Sequence, residues 1–137
     1  MTRLDLRVQV EAPARTTWAA LTDWARQGEW MLATTVRVTG GDGASVGSGL
    51  TAFTGVGRLG FTDTMRITAW EPPARCAVEH TGRLVRGAGE FRVVPRGPDR
   101  SELVWSEDIA LPLNLAFAPG VRLSLHRFAA FARRYTP

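Results

Sequence analysis

Residues 59–111 read LGFTDTMRITAWEPPARCAVEHTGRLVRGAGEFRVVPRGPDRSELVWSEDIAL, and they decide the fold. Turn signals at Glu71-Pro72-Pro73-Ala74, Gly82-Arg83 and Arg96-Gly97-Pro98-Asp99 divide this stretch into β-rich runs at 59–70, 75–81, 84–95 and 101–111. Proline and glycine punctuate strands, whereas β-branched and aromatic residues fill them. Consecutive runs joined by short turns predict an antiparallel meander.

Register carries the reading further, because side chains directly opposite one another share a face. A turn of two or four residues at Pro72-Pro73 sets Ala69 opposite Cys76, Ile67 opposite Val78 and Met65 opposite His80. A two-residue loop at Gly82-Arg83 sets His80 opposite Val85, Val78 opposite Gly87 and Cys76 opposite Gly89. The last hairpin places Phe91 beside Trp105 and Val93 beside Leu103. All three hairpins then agree on one inner face: Phe61, Asp63, Met65 and Ile67; Cys76, Val78 and His80; Val85, Gly87, Gly89, Phe91 and Val93; Leu103, Trp105, Glu107 and Ile109. Thr62, Thr64, Arg66, Thr68, Glu79, Glu90 and Arg92 take the outer face.

Working outward, residues 3–11 alternate Leu4, Leu6, Val8 and Val10 with charged and polar neighbours, which is a half-buried strand. Pro13 suits the first turn of a helix carrying Ala14, Trp18 and Leu21, and Thr22 or Asp23 can cap a second short helix that Gly28 can end. Runs at 34–39 and 49–54 add two strands around the turn Gly40-Gly41-Asp42-Gly43. At the other end, Phe117, Val121, Leu125, Phe128, Ala132 and Tyr135 make one stripe of a long helix, which Pro119-Gly120 should kink or delay. The predicted class is α+β: a seven-stranded antiparallel sheet, two short helices after the first strand, and a terminal helix with an apolar stripe that only the inner sheet face can cover. A chain of 137 residues has room for one domain, expected to span 1–137.

Composition narrows the function. Apolar residues make up 45% and charged residues 22%, ordinary values for a globular domain. No apolar run reaches the roughly 18 residues that span a bilayer, and the N-terminal residues Met1-Thr2-Arg3-Leu4-Asp5 alternate charge and leucine, so no targeting peptide is expected there. Cys76 is the single cysteine, so the expected location is the cytoplasm. The net charge of +4 comes entirely from arginine on the basic side, scattered among 13 acids and not gathered into a stripe. No nucleic-acid partner is expected from such a distribution. His80 and His126 are the only imidazoles and lie far apart, which argues against a metal site. The glycine runs do not join strand to helix as a phosphate cradle requires, and the Ser and Cys side chains have no neighbouring base. No cofactor is expected.

Two features of the inner face point to a cavity. Gly87 and Gly89 place no side chain where a filled core wants one. Asp63, His80 and Glu107 face inward, where burying a charge costs several kcal/mol unless it is paired or solvated. Asp63 is diagonal to His80, within hydrogen-bond reach. Glu107 is placed on the order of 15 Å away, too far to join them. Of the tryptophans, Trp105, and Trp30 at the end of the short helices, are expected to touch a ligand.

The chain resembles the polyketide cyclase/dehydratase-like branch of the START helix-grip superfamily (SRPBCC). The matching residues are Val10-Glu11-Ala12-Pro13 with Thr17-Trp18, Leu21-Thr22-Asp23 through Glu29-Trp30, Val46-Gly47, Ile67-Thr68-Ala69-Trp70-Glu71-Pro72-Pro73-Ala74-Arg75, Leu103-Val104-Trp105-Ser106-Glu107 and Ser124-Leu125-His126-Arg127-Phe128-Ala129. The resemblance implies a helix-grip fold, a curved sheet wrapped around the long C-terminal helix, enclosing a hydrophobic cavity for lipids, polyketides or aromatic compounds. It supplies no invariant catalytic set.

The expected function is therefore binding or carrying a hydrophobic small molecule, with a homodimer as a permitted assembly. Trp30, Phe61, Met65, Val78, Phe91, Trp105, Glu107, Val121, Leu125 and Phe128 are the candidate ligand contacts. The alternative is a cyclase or dehydratase in which Asp63 and His80 are the acid–base pair. A weaker alternative is an interaction protein resembling a ribosome-association toxin.

Overall fold

The computed structural model describes residues 2–109 and 113–137, with side chains described at 3–109 and 118–137. The predicted strand end at Ala110 and Leu111 and the side chain of Phe117 lie outside these residues. Seven strands follow the anticipated order: β1 (Thr2–Val10), β2 (Thr34–Gly40), β3 (Gly49–Val56), β4 (Leu59–Glu71), β5 (Arg75–Thr81), β6 (Arg86–Gly97) and β7 (Arg100–Ile109). They form one antiparallel sheet in the order β1-β7-β6-β5-β4-β3-β2. Helix α1 (Ala14–Leu21) and a 3-10 turn (Trp24–Glu29) follow β1, and helix α2 (Leu113–Arg133) closes the chain. The helix-grip arrangement anticipated from the sequence is the one present.

Alternation explains β1 directly. Leu6, Val8 and Val10 are buried while Arg7 and Gln9 face out. Pro13 then starts α1, its carbonyl accepting the N–H groups of Thr16 and Thr17 at 3.0 Å. Helix α1 buries Thr17, Trp18, Ala20 and Leu21, and the Thr17 hydroxyl sits 2.6 Å from that of Ser101 on β7. Gly28 lies inside the 3-10 turn and does not end it. Asp23 stands at its start, yet its carboxylate makes no cap and accepts the Tyr135 hydroxyl at 2.8 Å. This bond ties the end of α2 to the helical insertion.

Helix α2 starts upstream of Pro119, so proline does not delay it. It packs on β1 and β7 and against α1, on one flank of the concave face. The 3-10 turn packs on β2 at the opposite flank. Leu125, Phe128 and Ala132 of α2 are buried in a core with Leu21, Trp30, Ile67, Cys76 and Leu103. Burial of apolar surface on this scale is the main favourable contribution to folding.

The predicted register is correct in β6–β7, where Phe91 faces Trp105 and Val93 faces Leu103. It differs in two places. The β4–β5 turn holds three residues, with Glu71 paired to Arg75, and a bulge between Ile67 and Ala69 absorbs the mismatch. Met65 and Ile67 keep their predicted partners, but Trp70 replaces Ala69 opposite Cys76. The Trp70 ring packs 5.1 Å from that of Trp18. In β5–β6 the loop runs from Gly82 to Val85, so His80 faces Gly87 and Val78 faces Gly89. A shift of two residues preserves the inward face but changes every partner along it.

Candidate functional site

A cavity of about 260 Å³ lies between the sheet, the 3-10 turn and α2. One wall is the predicted inner face: Phe61 and Met65 of β4, Val78 of β5, Phe91 of β6, Trp105 and Ile109 of β7, with Val85 from the β5–β6 loop. A second comes from β2 and β3, through Thr34, Val36, Leu50, Ala52 and Thr54. Trp24, Gln27, Met31 and Leu32 of the helical insertion and Gly120, Val121 and Ser124 of α2 cover it, and Leu4 adds to its edge.

Most hydroxyls here already have partners. Thr34 donates to the Leu32 carbonyl at 2.8 Å and stands 2.9 Å from the Thr54 hydroxyl. Ser124 donates to the Gly120 carbonyl at 2.8 Å and accepts the Leu32 N–H at 3.0 Å. These groups seal the wall.

The charged end is different. His80 Nδ1 stands 2.9 Å from Asp63 Oδ1, and His80 Nε2 stands 3.0 Å from Glu107 Oε2. Trp105 Nε1–H donates to Glu107 Oε1 at 3.1 Å. Burial works against a charged ring, but the hydrogen bonds to Asp63 and Glu107 and the charges of both carboxylates outweigh it. The His80 pKa is pushed up to about 10. The ring is therefore an imidazolium at neutral pH, both nitrogens donating.

Glu107 corrects the expectation that it lies too far away to join Asp63 and His80. The physical cause is the β5–β6 shift together with Gly89. Glu107 faces Gly89, and Gly89 in turn faces Val78, two residues from His80. With no side chain at Gly89, the Glu107 carboxylate lies over the intervening strand; a Cβ there would stand 2.8 Å from Oε2. Gly89 opens the route by which a residue of β7 reaches one of β5. Gly87 has a different reason: at φ +135 its Cα lies so close to the Asp108 carbonyl that a Cβ would meet that oxygen at 2.2 Å.

Asp63, His80, Phe61, Met65, Val78, Phe91, Trp105, Glu107 and Val121 all line the cavity. Trp30, Leu125 and Phe128 do not. Trp30 and Phe128 are fully buried with ring centroids 4.9 Å apart, and Trp30 also meets Trp105 edge-on. Leu125 and Phe128 share the α2 stripe with Val121, but farther along the helix they meet packed core. The β2 and β3 contributors were missed, although the same pairing logic reaches them. Leu50 faces Met65, Ala52 faces Asp63 and Thr54 faces Phe61 on the adjoining strand.

Among the described residues, no group of His, Cys, Asp and Glu is placed to hold a metal ion. Cys76 is fully buried, and burial pushes its thiol up to about 12, well away from the thiolate a nucleophile needs. No helix among the described residues is long and apolar enough to cross a membrane.

The family model described as polyketide cyclase / dehydrase and lipid transport matches residues 1–134. The chain belongs to that family. Its fold is also that of the Zhui aromatase/cyclase from Streptomyces sp. R1128, with a TM-score of 0.83 at 18% identity over 97% of this chain and 94% of that one. The di-domain ARO/CYC BexL from the BE-7585A biosynthetic pathway aligns with a TM-score of 0.78 and 14% identity, over 95% of this chain and 46% of that one. An Aha1 dimer from Colwellia psychrerythraea gives a TM-score of 0.74 and 13% identity over 98% of both chains. At these identities the likeness is one of fold. No curated protein matches the chain in sequence.

Proposed function

We propose that this member of the polyketide cyclase / dehydrase and lipid transport family binds and carries an apolar small molecule in the cavity under α2. The observation that supports this most directly is the cavity itself, about 260 Å³ walled by Phe61, Met65, Phe91, Trp105 and Val121, with its ionic groups confined to one end. A concave, mostly apolar site with a few convergent polar groups is the usual form of a small-molecule pocket.

Titration with the neutral fluorescent probe N-phenyl-1-naphthylamine tests it. Wild-type protein should bind with a saturating fluorescence increase. Ala52→Trp, which projects an indole into the void, should weaken binding at least tenfold while circular dichroism shows a folded protein. Failure of the wild type to bind, or equal binding by the filled variant, would overturn the proposal.

A second reading is a cyclase in which Asp63 and His80 perform acid–base work, and the likeness to aromatase/cyclases favours it. The geometry adds a condition. Before His80 could accept a proton it would have to lose one and turn away from one of two carboxylates. All three ring N–H groups at this end, two from His80 and one from Trp105, already face carboxylate oxygens. A developing oxyanion would find none of them available. Binding asks for no such rearrangement.

A further inference from the structure

Taking the cavity as the binding site proposed above, its charged end is a chemical filter. Two carboxylates, Asp63 and Glu107, share one imidazolium, and the three side chains together carry an excess negative charge. No arginine lines the cavity among the described residues. Among the described residues, the excess is therefore not offset by another cation of the wall.

Exposure sharpens the point. The His80 side chain is 5% exposed, whereas Asp63 and Glu107 are 16% and 15% exposed. What the void meets at this end is carboxylate more than ring. The ring and indole N–H groups are directed at those same carboxylates, so the local chemistry accepts hydrogen bonds more readily than it donates them.

We infer that the cavity selects apolar molecules carrying an amine or hydroxyl head, placed against Asp63 and Glu107, and rejects molecules carrying a carboxylate. A hydroxyl or ammonium donates to a carboxylate and gains a charge-assisted hydrogen bond. A ligand carboxylate would be stripped of water beside like charge, with no arginine among the described wall residues to receive it. A free fatty acid is thus a poor fit and a phenol or an aryl-alkyl amine a good one.

Four ligands of one apolar body separate these effects: naphthalene, 2-naphthol, 1-naphthylmethylamine and 2-naphthoate, each measured at pH 7 by displacement of N-phenyl-1-naphthylamine. Naphthol and the amine should bind more tightly than naphthalene, and naphthoate at least about tenfold more weakly than naphthol, the size expected of one unfavourable charge contact. Asp63→Asn removes one negative charge and should narrow the naphthol–naphthoate gap severalfold. Glu107→Gln offers the same readout if the first variant does not fold. The ranking in wild-type protein needs no variant.

The outcomes are separable. If none of the four displaces the probe, the pocket reading falls and the filter with it. Equal affinities for all four leave the pocket standing and overturn the filter. Naphthoate binding as tightly as naphthol, or a gap unchanged in both variants, also overturns it.

Discussion

The two halves of the concave face are built from the same strands by the same alternation, yet one is solid and the other hollow. On β7, Leu103 is fully buried, while Glu107 four residues along lines the cavity. On β4, Ile67 is fully buried, while Met65 and Phe61 are only partly covered. The strands do not change character between these positions; the cover does. Leu125, Phe128 and Ala132 of α2, with Trp30 from the insertion, close the solid half. Over the hollow half the described lining residues of the helix are Gly120, Val121 and Ser124, which are smaller. Among the described residues, the size of the helix side chains separates the two halves as much as the sheet does.

The largest expected effect contrasts one substitution in each half. Phe128→Ala removes a fully buried ring that touches Trp30 and should cost about 3–5 kcal/mol, the transfer loss plus an unfilled hole. Phe61→Ala removes a half-buried ring of the cavity wall and should cost about 1–2 kcal/mol. Urea unfolding of both variants checks the pair. Equal losses would mean that the two halves are packed alike.

The solid half was the more legible in the sequence. Alternation in β1 and the correctly read pairs of β6–β7 place Leu6, Val8, Val93 and Leu103 inside with no further information. Faces survive errors of two residues, which is why the inward set was right although the β5–β6 loop was read two residues too short. Partners do not survive such errors. The His80–Glu107 contact was missed because it depends on which glycine lies between them, and that depends on loop length. Trp30, Leu125 and Phe128 were misplaced for another reason: a helical stripe shows which way side chains point, not where along the sheet the space under them closes. The bulge at Thr68, which exchanges Ala69 for Trp70 inside, leaves no mark in the hydrophobic pattern.

The hollow half should also respond to pH, starting at lower pH than the buried Cys76 thiol of the solid half, whose unfolded value is 9.0. His80 in the folded protein holds its proton up to about pH 10, whereas an unfolded histidine releases it near 6.5. Between those values the native state binds more protons than the unfolded one, so stability falls as pH rises. The contribution of the ion-paired ring is fully present below about pH 6.5 and lost through about pH 10. Urea midpoints at pH 6, 8 and 10 should decrease in that order for wild-type protein, and the slope should flatten in Asp63→Asn. Asp63 on β4 and Glu107 on β7 are the charged groups bonded to the ring, so a flat wild-type profile would mean that they do not hold it charged.

The smallest effect is the most specific. In Gly89→Ala the new methyl would stand 2.8 Å from Glu107 Oε2, too close to coexist with the carboxylate where it lies. The obstacle is the end of a flexible side chain, so Glu107 should swing aside and the strand remain in place, at a cost of about 1 kcal/mol. His80 then keeps Asp63 and loses Glu107. Its pKa should drop below the wild-type value of about 10, seen as an earlier titration of the His80 ring by NMR. Fold loss would instead be expected of Gly87→Ala, where the methyl meets the Asp108 backbone carbonyl at 2.2 Å. If Gly89→Ala leaves the His80 titration untouched, then the missing side chain at 89 is not what lets Glu107 cross β6. The join between solid sheet and charged hollow would need another cause.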